Sequence, residues 1–220
     1  MSATNAAALL DPAERALLVR RGLRLEYLTL AWNSLEAIIA IAAGWLAGSI
    51  ALIGFGLDSL IEMSSGAVLL WRLSSDADPA LRARAESRAL KLVGWSFLLL
   101  AAYVAFDAAR SLWLREAPDQ STIGIALAAA SLIVMPLLAR AKRRIAARIA
   151  SRALHADSRQ TSICAFLSAI LLAGLLLNAF AGWWWADPAA ALLMVPIISR
   201  EGWEALRGER CSDCPSDSLN

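Results

Sequence analysis

The chain has 220 residues, of which 59% are hydrophobic and only 18% charged, and its mean hydropathy is +0.56. Soluble domains are about 45–50% apolar and about 25% charged, so this composition excludes an ordinary soluble protein and indicates an integral membrane protein. The 21 Lys and Arg nearly balance the 19 Asp and Glu, so no charge excess points to a nucleic-acid partner. Charges interrupt the first 26 residues, so these residues do not predict a cleavable signal peptide.

Six apolar stretches follow one another along the chain, and each is long enough for a membrane span of about 20 residues. Backbone groups inside lipid must be hydrogen-bonded within the segment, so each stretch predicts a helix. The predicted spans are Tyr27–Gly48, Ile50–Arg72, Leu90–Leu114, Ser121–Arg140, Ala153–Ala179 and Ala186–Leu206. The expected fold is therefore an all-α membrane protein with six transmembrane helices. It divides into an N-terminal segment (1–26), the six-helix domain (27–206) and a short tail (207–220).

Lys and Arg are concentrated on one side of these spans. Eighteen of them fall before the first span, in the second and fourth connections or after the last span, whereas Arg110 and Arg115 fall on the other side. Because basic connections stay in the cytoplasm, we expect both termini there, in a multi-pass protein of a bacterial-type plasma (inner) membrane. The basic run 140–152, which includes Lys142, is interpreted as an orientation determinant at the lipid head groups.

Carboxyl groups inside the spans are the main functional signal, because charge within a bilayer is costly. Asp58 and Glu62 stand four residues apart, so both face one side of the second helix. Two acids on one face repel each other, and a cation or a proton relieves the repulsion. The spans offer no evident Lys or Arg at that depth, so the pair predicts a cation or proton site. Glu36 and Asn33 of the first span are interpreted as outer ligands or a proton relay.

The fifth span supplies donors for an opposite wall. Gln160 and Cys164 stand four apart, and Asp157 lies on an adjoining stripe. With a rise of about 1.5 Å per residue, Glu62, Cys164 and Glu36 lie roughly 15, 16 and 14 Å into their spans, near the middle of a core about 30 Å thick. Carboxylate, amide and thiolate donors together favour a divalent transition metal such as Zn²⁺. A small buried hydrophobic role for Cys164 is the alternative.

Two stretches resemble a known family. Residues 48–62, GSIALIGFGLDSLIE, resemble the second transmembrane helix of the cation diffusion facilitator (cation efflux) family, and residues 182–188, GWWWADP, resemble its junction between helices five and six. The resemblance covers roughly residues 22–208. It implies a homodimeric antiporter that exports Zn²⁺, or a related ion such as Co²⁺, Fe²⁺ or Mn²⁺, in exchange for protons. The implied mechanism is alternating access around a tetrahedral site between helices two and five.

Two features depart from the family pattern. Where the family usually places His or Asp and a second Asp in helix five, this chain has Gln160 and Cys164; a shifted alignment would place His155 or Asp157 in the site instead. The second departure is length, because most relatives continue into a cytoplasmic metallochaperone-like domain. The chain resembles the truncated branch without that domain, which includes vesicular zinc-efflux proteins.

The tail carries Cys211 and Cys214 in a C-x-x-C, which is half of a zinc site or a pair of incidental thiols. Asp107 and Arg110 stand three apart and predict an intrahelical pair. An alternative to transport is a non-transporting membrane metal-binding or scaffold protein. A membrane enzyme is disfavoured, because one histidine and no Ser/His/Asp arrangement leave little catalytic machinery.

Overall fold

The computed structural model describes residues 11–74, 79–116, 118–149 and 152–207. Within these ranges the regular structure is helical, and the all-α fold is confirmed. The helices are α1 (Pro12–Ala47), α2 (Ile50–Ser74), α3 (Pro79–Leu114), α4 (Thr122–Ile149), α5 (Arg152–Ala181) and α6 (Ala186–Arg207). Cys211 and Cys214 lie outside the described residues.

The helices extend beyond the predicted spans on the basic side. α1 begins at Pro12 rather than Tyr27, and α4 continues to Ile149 rather than ending at Arg140. These extensions are rich in Ala, Leu, Arg and Glu, which favour helix without making a segment apolar. Hydropathy therefore locates the apolar part of these helices and misses their polar continuation.

Four helical segments of the described chain are long and apolar enough to cross a membrane. They are Ala16–Ala47, Gly94–Leu114, Thr122–Ile149 and Asp157–Ala181. Large apolar side chains such as Trp113 and Phe180 lie almost fully exposed on the outside, as expected for a surface that faces lipid. The six-span count and the cytoplasmic position of both ends remain predictions.

Glycines allow two pairs of helices to approach closely, as small residues do in membrane proteins. Between α1 and α2, a Cβ placed on Gly56 would lie 3.1 Å from the backbone nitrogen of Ile41. Between α3 and α6, a Cβ on Gly94 would lie 2.9 Å from the carbonyl oxygen of Gly202, and the reverse distance is the same. α1 and α2 therefore form a tight hairpin, and α3 packs directly on α6.

Asp187 at the start of α6 caps the start of α2. Ser49 donates its hydroxyl to one carboxylate oxygen, and the backbone N–H of Ile50 donates to the other over 3.0 Å. The first N–H groups of a helix have no partner within the helix, so a carboxylate there is stabilising. Gly48, with φ of 65°, provides the left-handed turn that separates α1 from α2. This contact, which we call the Asp187 clasp, fixes where α2 begins relative to α6.

Candidate metal site

Three buried carboxyl groups lie where α1 and α2 face each other. Glu36, Asp58 and Glu62 have exposed fractions of 0%, 6% and 4%. Asp58 interacts electrostatically with both of the other carboxyl groups, and Glu62 interacts with Glu36. The i, i+4 spacing on α2 and the glycine-mediated approach of α1 bring them to one region of the bundle. Buried like charges that interact in a medium of low dielectric are unfavourable unless a cation or proton joins them.

Cys164 on α5 meets this group from the other side. Its side chain is 1% exposed, and its Sγ lies 3.8 Å from Glu36 Oε2, to which it donates a weak hydrogen bond. The thiol also interacts electrostatically with Glu62 and Asp58. The same side chain is part of the apolar core beside Leu167. The sequence places Glu36, Glu62 and Cys164 at a common depth along their helices, and in the structure the three side chains lie in one region of the bundle.

Several polar atoms of this region have no hydrogen-bond partner among the described residues. They are Glu36 Oε1, both carboxylate oxygens of Glu62, both side-chain polar atoms of Asn33 and Nε2 of Gln160. Buried polar groups are nearly always hydrogen-bonded, and leaving one unpaired is expensive in a membrane interior. The unpaired oxygens of Glu36 and Glu62 could accept a cation or a proton, whereas the amide N–H groups of Asn33 and Gln160 could not bind a cation; Thr161 and Cys164 lie beside Glu62 as protein partners.

Ser59 is a site residue that the sequence reasoning missed. It is fully buried, and its hydroxyl donates to Glu36 Oε2 over 2.8 Å. Ser59 directly follows Asp58 in the α2 motif, and a polar side chain inside an apolar run was the available signal. Its hydrogen bond orients one oxygen of Glu36 and leaves the other free.

Asp157 lies in a separate arrangement. Nζ of Lys142 lies 2.6 Å from Asp157 Oδ2 and 2.8 Å from Glu26 Oε2, and Lys142 is 0% exposed. We call Glu26, Lys142 and Asp157 the ion triplet; it joins α1, α4 and α5. The sequence assigns Lys142 to a basic connection, and this assignment is wrong, because Lys142 is part of α4 and its side chain is fully buried. Lys142 and Asp157 both interact electrostatically with Glu62.

The remaining candidates lie around this centre. Gln160 is 8% exposed on α5. His155 lines a cavity of about 690 Å³ together with three arginines and Glu201, and Glu201 interacts electrostatically with Asp58. Asp107 lies apart from the site and pairs with Arg110 at 3.5 Å, which confirms the predicted intrahelical pair.

In this conformation the donors converge without forming a finished coordination shell. Across the part of the chain that the structure describes, no group of three His, Cys, Asp or Glu side chains is placed closely enough to hold a metal ion. The chemistry of the donor set nevertheless suits a divalent cation, since it offers carboxylate oxygens, an amide and a thiol.

Three relatives indicate the class of protein to which this chain is similar. An uncharacterized transporter of Synechocystis sp. is 29% identical over 160 residues, which are 70% of this chain and 52% of that protein. Transmembrane protein 163 of Xenopus laevis is 27% identical over 198 residues, 90% of this chain and 70% of that protein. Cation-efflux pump FieF of Shewanella oneidensis is 29% identical over 113 residues, 51% of this chain and 36% of the pump. The chain thus spans about half of the first relative's length and about a third of the pump's.

A comparison with family models also covers most of the chain. Residues 27–209 match the family model of the cation efflux transmembrane domain. This range contains the Asp58 and Glu62 motif, the donors of α5 and the Asp187 clasp, so the match includes the whole candidate site. Together with the buried carboxyl groups, it shows that the chain belongs to the cation efflux family of membrane transporters.

Proposed function

We propose that this transporter exports a divalent transition-metal ion, with Zn²⁺ as its preferred substrate, in exchange for protons. The observation that carries the proposal is the meeting of three buried carboxyl groups and the thiol of Cys164, with carboxylate oxygens of Glu36 and Glu62 left unpartnered. A permanent ion pair would have satisfied these oxygens. A transported cation satisfies them only while it is bound, which is what a carrier requires.

We assign the ligands by helix. Asp58 and Glu62 from α2, with Gln160 and Cys164 from α5, would provide the four donors of a tetrahedral Zn²⁺ site, and Glu36 from α1 would lie behind them. Thiolate favours Zn²⁺ over harder ions, so Co²⁺, Fe²⁺ and Mn²⁺ are weaker candidates. We assign Asp157 to the ion triplet rather than to the ligand set, because Lys142 holds its carboxylate at 2.6 Å.

Coupling to protons follows from the ligand chemistry. Carboxylate and thiolate bind metal only when they are deprotonated, so loading the site displaces protons. When the site opens to the opposite side of the membrane, incoming protons compete for the same oxygens and sulfur and release the ion. Movement of α5 relative to α2 would serve both steps, because it separates donors that belong to different helices.

The assembly and location belong to the same proposal. We propose a homodimer in a bacterial-type inner membrane with both termini in the cytoplasm. The homodimer is supported by the resemblance to the cation diffusion facilitator pattern. The orientation is supported by the eighteen basic residues on one side of the spans.

The test uses the full chain in proteoliposomes, with a metal-sensitive dye inside and a pH dye to follow protons. We expect saturable Zn²⁺ flux with proton counterflow, and we expect Asp58→Asn and Glu62→Gln each to abolish it. Asp107→Asn is the matched control, because Asp107 lies apart from the site and pairs with Arg110. Full transport by folded Asp58→Asn protein would refute the site. Zn²⁺ binding by the wild type without flux would instead favour a non-transporting metal-binding protein.

A further inference from the structure

Among the basic side chains that the structure describes, Lys142 is the one that is buried. Its ammonium group lies between carboxylates of two other helices, 2.6 Å from Asp157 and 2.8 Å from Glu26. A lysine side chain is almost never fully buried in a protein unless it is paired. The proposed transport mechanism makes no use of the ion triplet, so its presence needs its own explanation.

The ion triplet adjoins the transport site. Lys142 and Asp157 both interact electrostatically with Glu62, whose two oxygens have no hydrogen-bond partner among the described residues. On α5, Asp157 precedes Gln160 by about one helical turn. The positive charge of Lys142 therefore acts on the same carboxylate that we assign to the metal.

Carboxylates from two helices converge on Lys142. Glu26 of α1 and Asp157 of α5 contact its ammonium group, and Glu62 of α2 interacts with it electrostatically; carboxylate oxygens are the preferred ligands of hard divalent cations. Without the ammonium group, Glu26 and Asp157 would lose their partner, and Glu62 would lose a positive charge that interacts with it. Buried carboxylates in that situation take up a cation or protons.

We propose that Lys142 is a tethered cation that limits the buried acidic cluster to one metal ion per chain. Its ammonium group occupies the position between Glu26 and Asp157 that a second divalent ion would otherwise take. A lysine cannot leave with the substrate, so the charge that moves in one cycle stays that of a single ion. This inference rests on the proposed function, because it takes Asp58 and Glu62 as ligands of the transported ion.

The first test counts bound ions on the purified full chain. Equilibrium dialysis against Mn²⁺ would be done in a Cys211→Ser/Cys214→Ser background, so that tail thiols do not contribute. We expect one ion per chain for the parent, two for Lys142→Met and one for Lys142→Arg, which keeps the charge. One ion for a Lys142→Met protein that elutes and melts like the parent would overturn the inference.

The second test does not depend on the folding of Lys142→Met. In Glu26→Gln/Asp157→Asn the lysine loses both partners, and we expect its ammonium group to turn to Glu62 and weaken Mn²⁺ binding about tenfold. Adding Lys142→Met to that variant should restore the parent affinity, which a purely structural ion pair would not do. Unchanged affinity of the double variant would contradict the inference.

Different results would contradict the proposed function and the inference about Lys142. If the parent protein binds no ion, the proposed function fails and this inference fails with it. If the parent binds one ion and Lys142→Met also binds one, the inference alone is wrong and the transport site stands.

Discussion

The side chain that most sharply defines the proposed substrate is Cys164. Its sulfur lies 3.8 Å from Glu36 and within electrostatic range of Asp58 and Glu62. The carboxylates suit many divalent ions, whereas a thiolate prefers soft or borderline ones. The identity of this one residue should therefore set the preference between Zn²⁺ and Mn²⁺.

We predict that Cys164→Ser lowers the affinity for Zn²⁺ by at least about tenfold and changes the affinity for Mn²⁺ much less, because a hydroxyl replaces a soft thiolate donor. Competition binding with the two ions on purified protein measures the ratio. Cys164→Ala is the control for the loss of side-chain volume. An unchanged ratio of affinities would mean that Cys164 packs as a small hydrophobic residue and binds no metal.

Part of this site can be predicted from the sequence. The i, i+4 spacing of Asp58 and Glu62 and the depth of Cys164 are properties of single helices, so they can be read from the chain. The pairing of Lys142 with Glu26 and Asp157 depends on how three helices pack, and hydropathy places Lys142 among neighbouring arginines of a connection. Spacing within one helix is visible in a sequence, whereas contacts between helices require the fold.

At the scale of helices, the packing depends on glycine contacts. Gly94 and Gly202 let the backbones of α3 and α6 touch, whereas Gly22 has room, since a Cβ there would meet its nearest neighbour at 3.5 Å. The positions of the helices could be predicted from apolar stretches. Their lengths could not, because polar helix formers extend α1 and α4 well past the apolar stretches.

We predict that Gly94→Ala lowers the free energy of unfolding by about 1–3 kcal/mol, because the added methyl group forces the packed helices apart. Gly22→Ala is the matched control and should be neutral or slightly stabilising, since alanine favours helix over glycine by up to about 1 kcal/mol. Thermal unfolding in detergent measures both variants. Equal melting temperatures for the two would show that α3 and α6 are not in close contact.

For the whole molecule, the distribution of charge determines the expected orientation. Most basic residues lie in the sequence before the first predicted span, in the second and fourth connections or after the last span, and large aromatic side chains such as Trp113 and Phe180 are exposed. A chain with this asymmetry should insert with its basic end in the cytoplasm.

We predict that Cys211 and Cys214 react with a membrane-impermeant maleimide in inverted vesicles and not in intact cells. Gln120→Cys in a Cys211→Ser/Cys214→Ser background should show the reverse, because Gln120 is exposed in the connection at the opposite end. Mass spectrometry of the labelled protein reads out both. Labelling of the tail from outside intact cells would invert the proposed direction of transport.

The Asp187 clasp has a mechanical consequence for such a transporter. It fastens α6 to α2 at the end of the bundle opposite the basic residues, through Ser49 and the first N–H groups of α2. If α2 and α6 rotate relative to each other about this contact, the distance between the two helices increases along their length. α6 has 22 residues and is about 33 Å long, so a small rotation at this pivot becomes a displacement of several ångströms at the far tip, beyond the depth of Asp58 and Glu62.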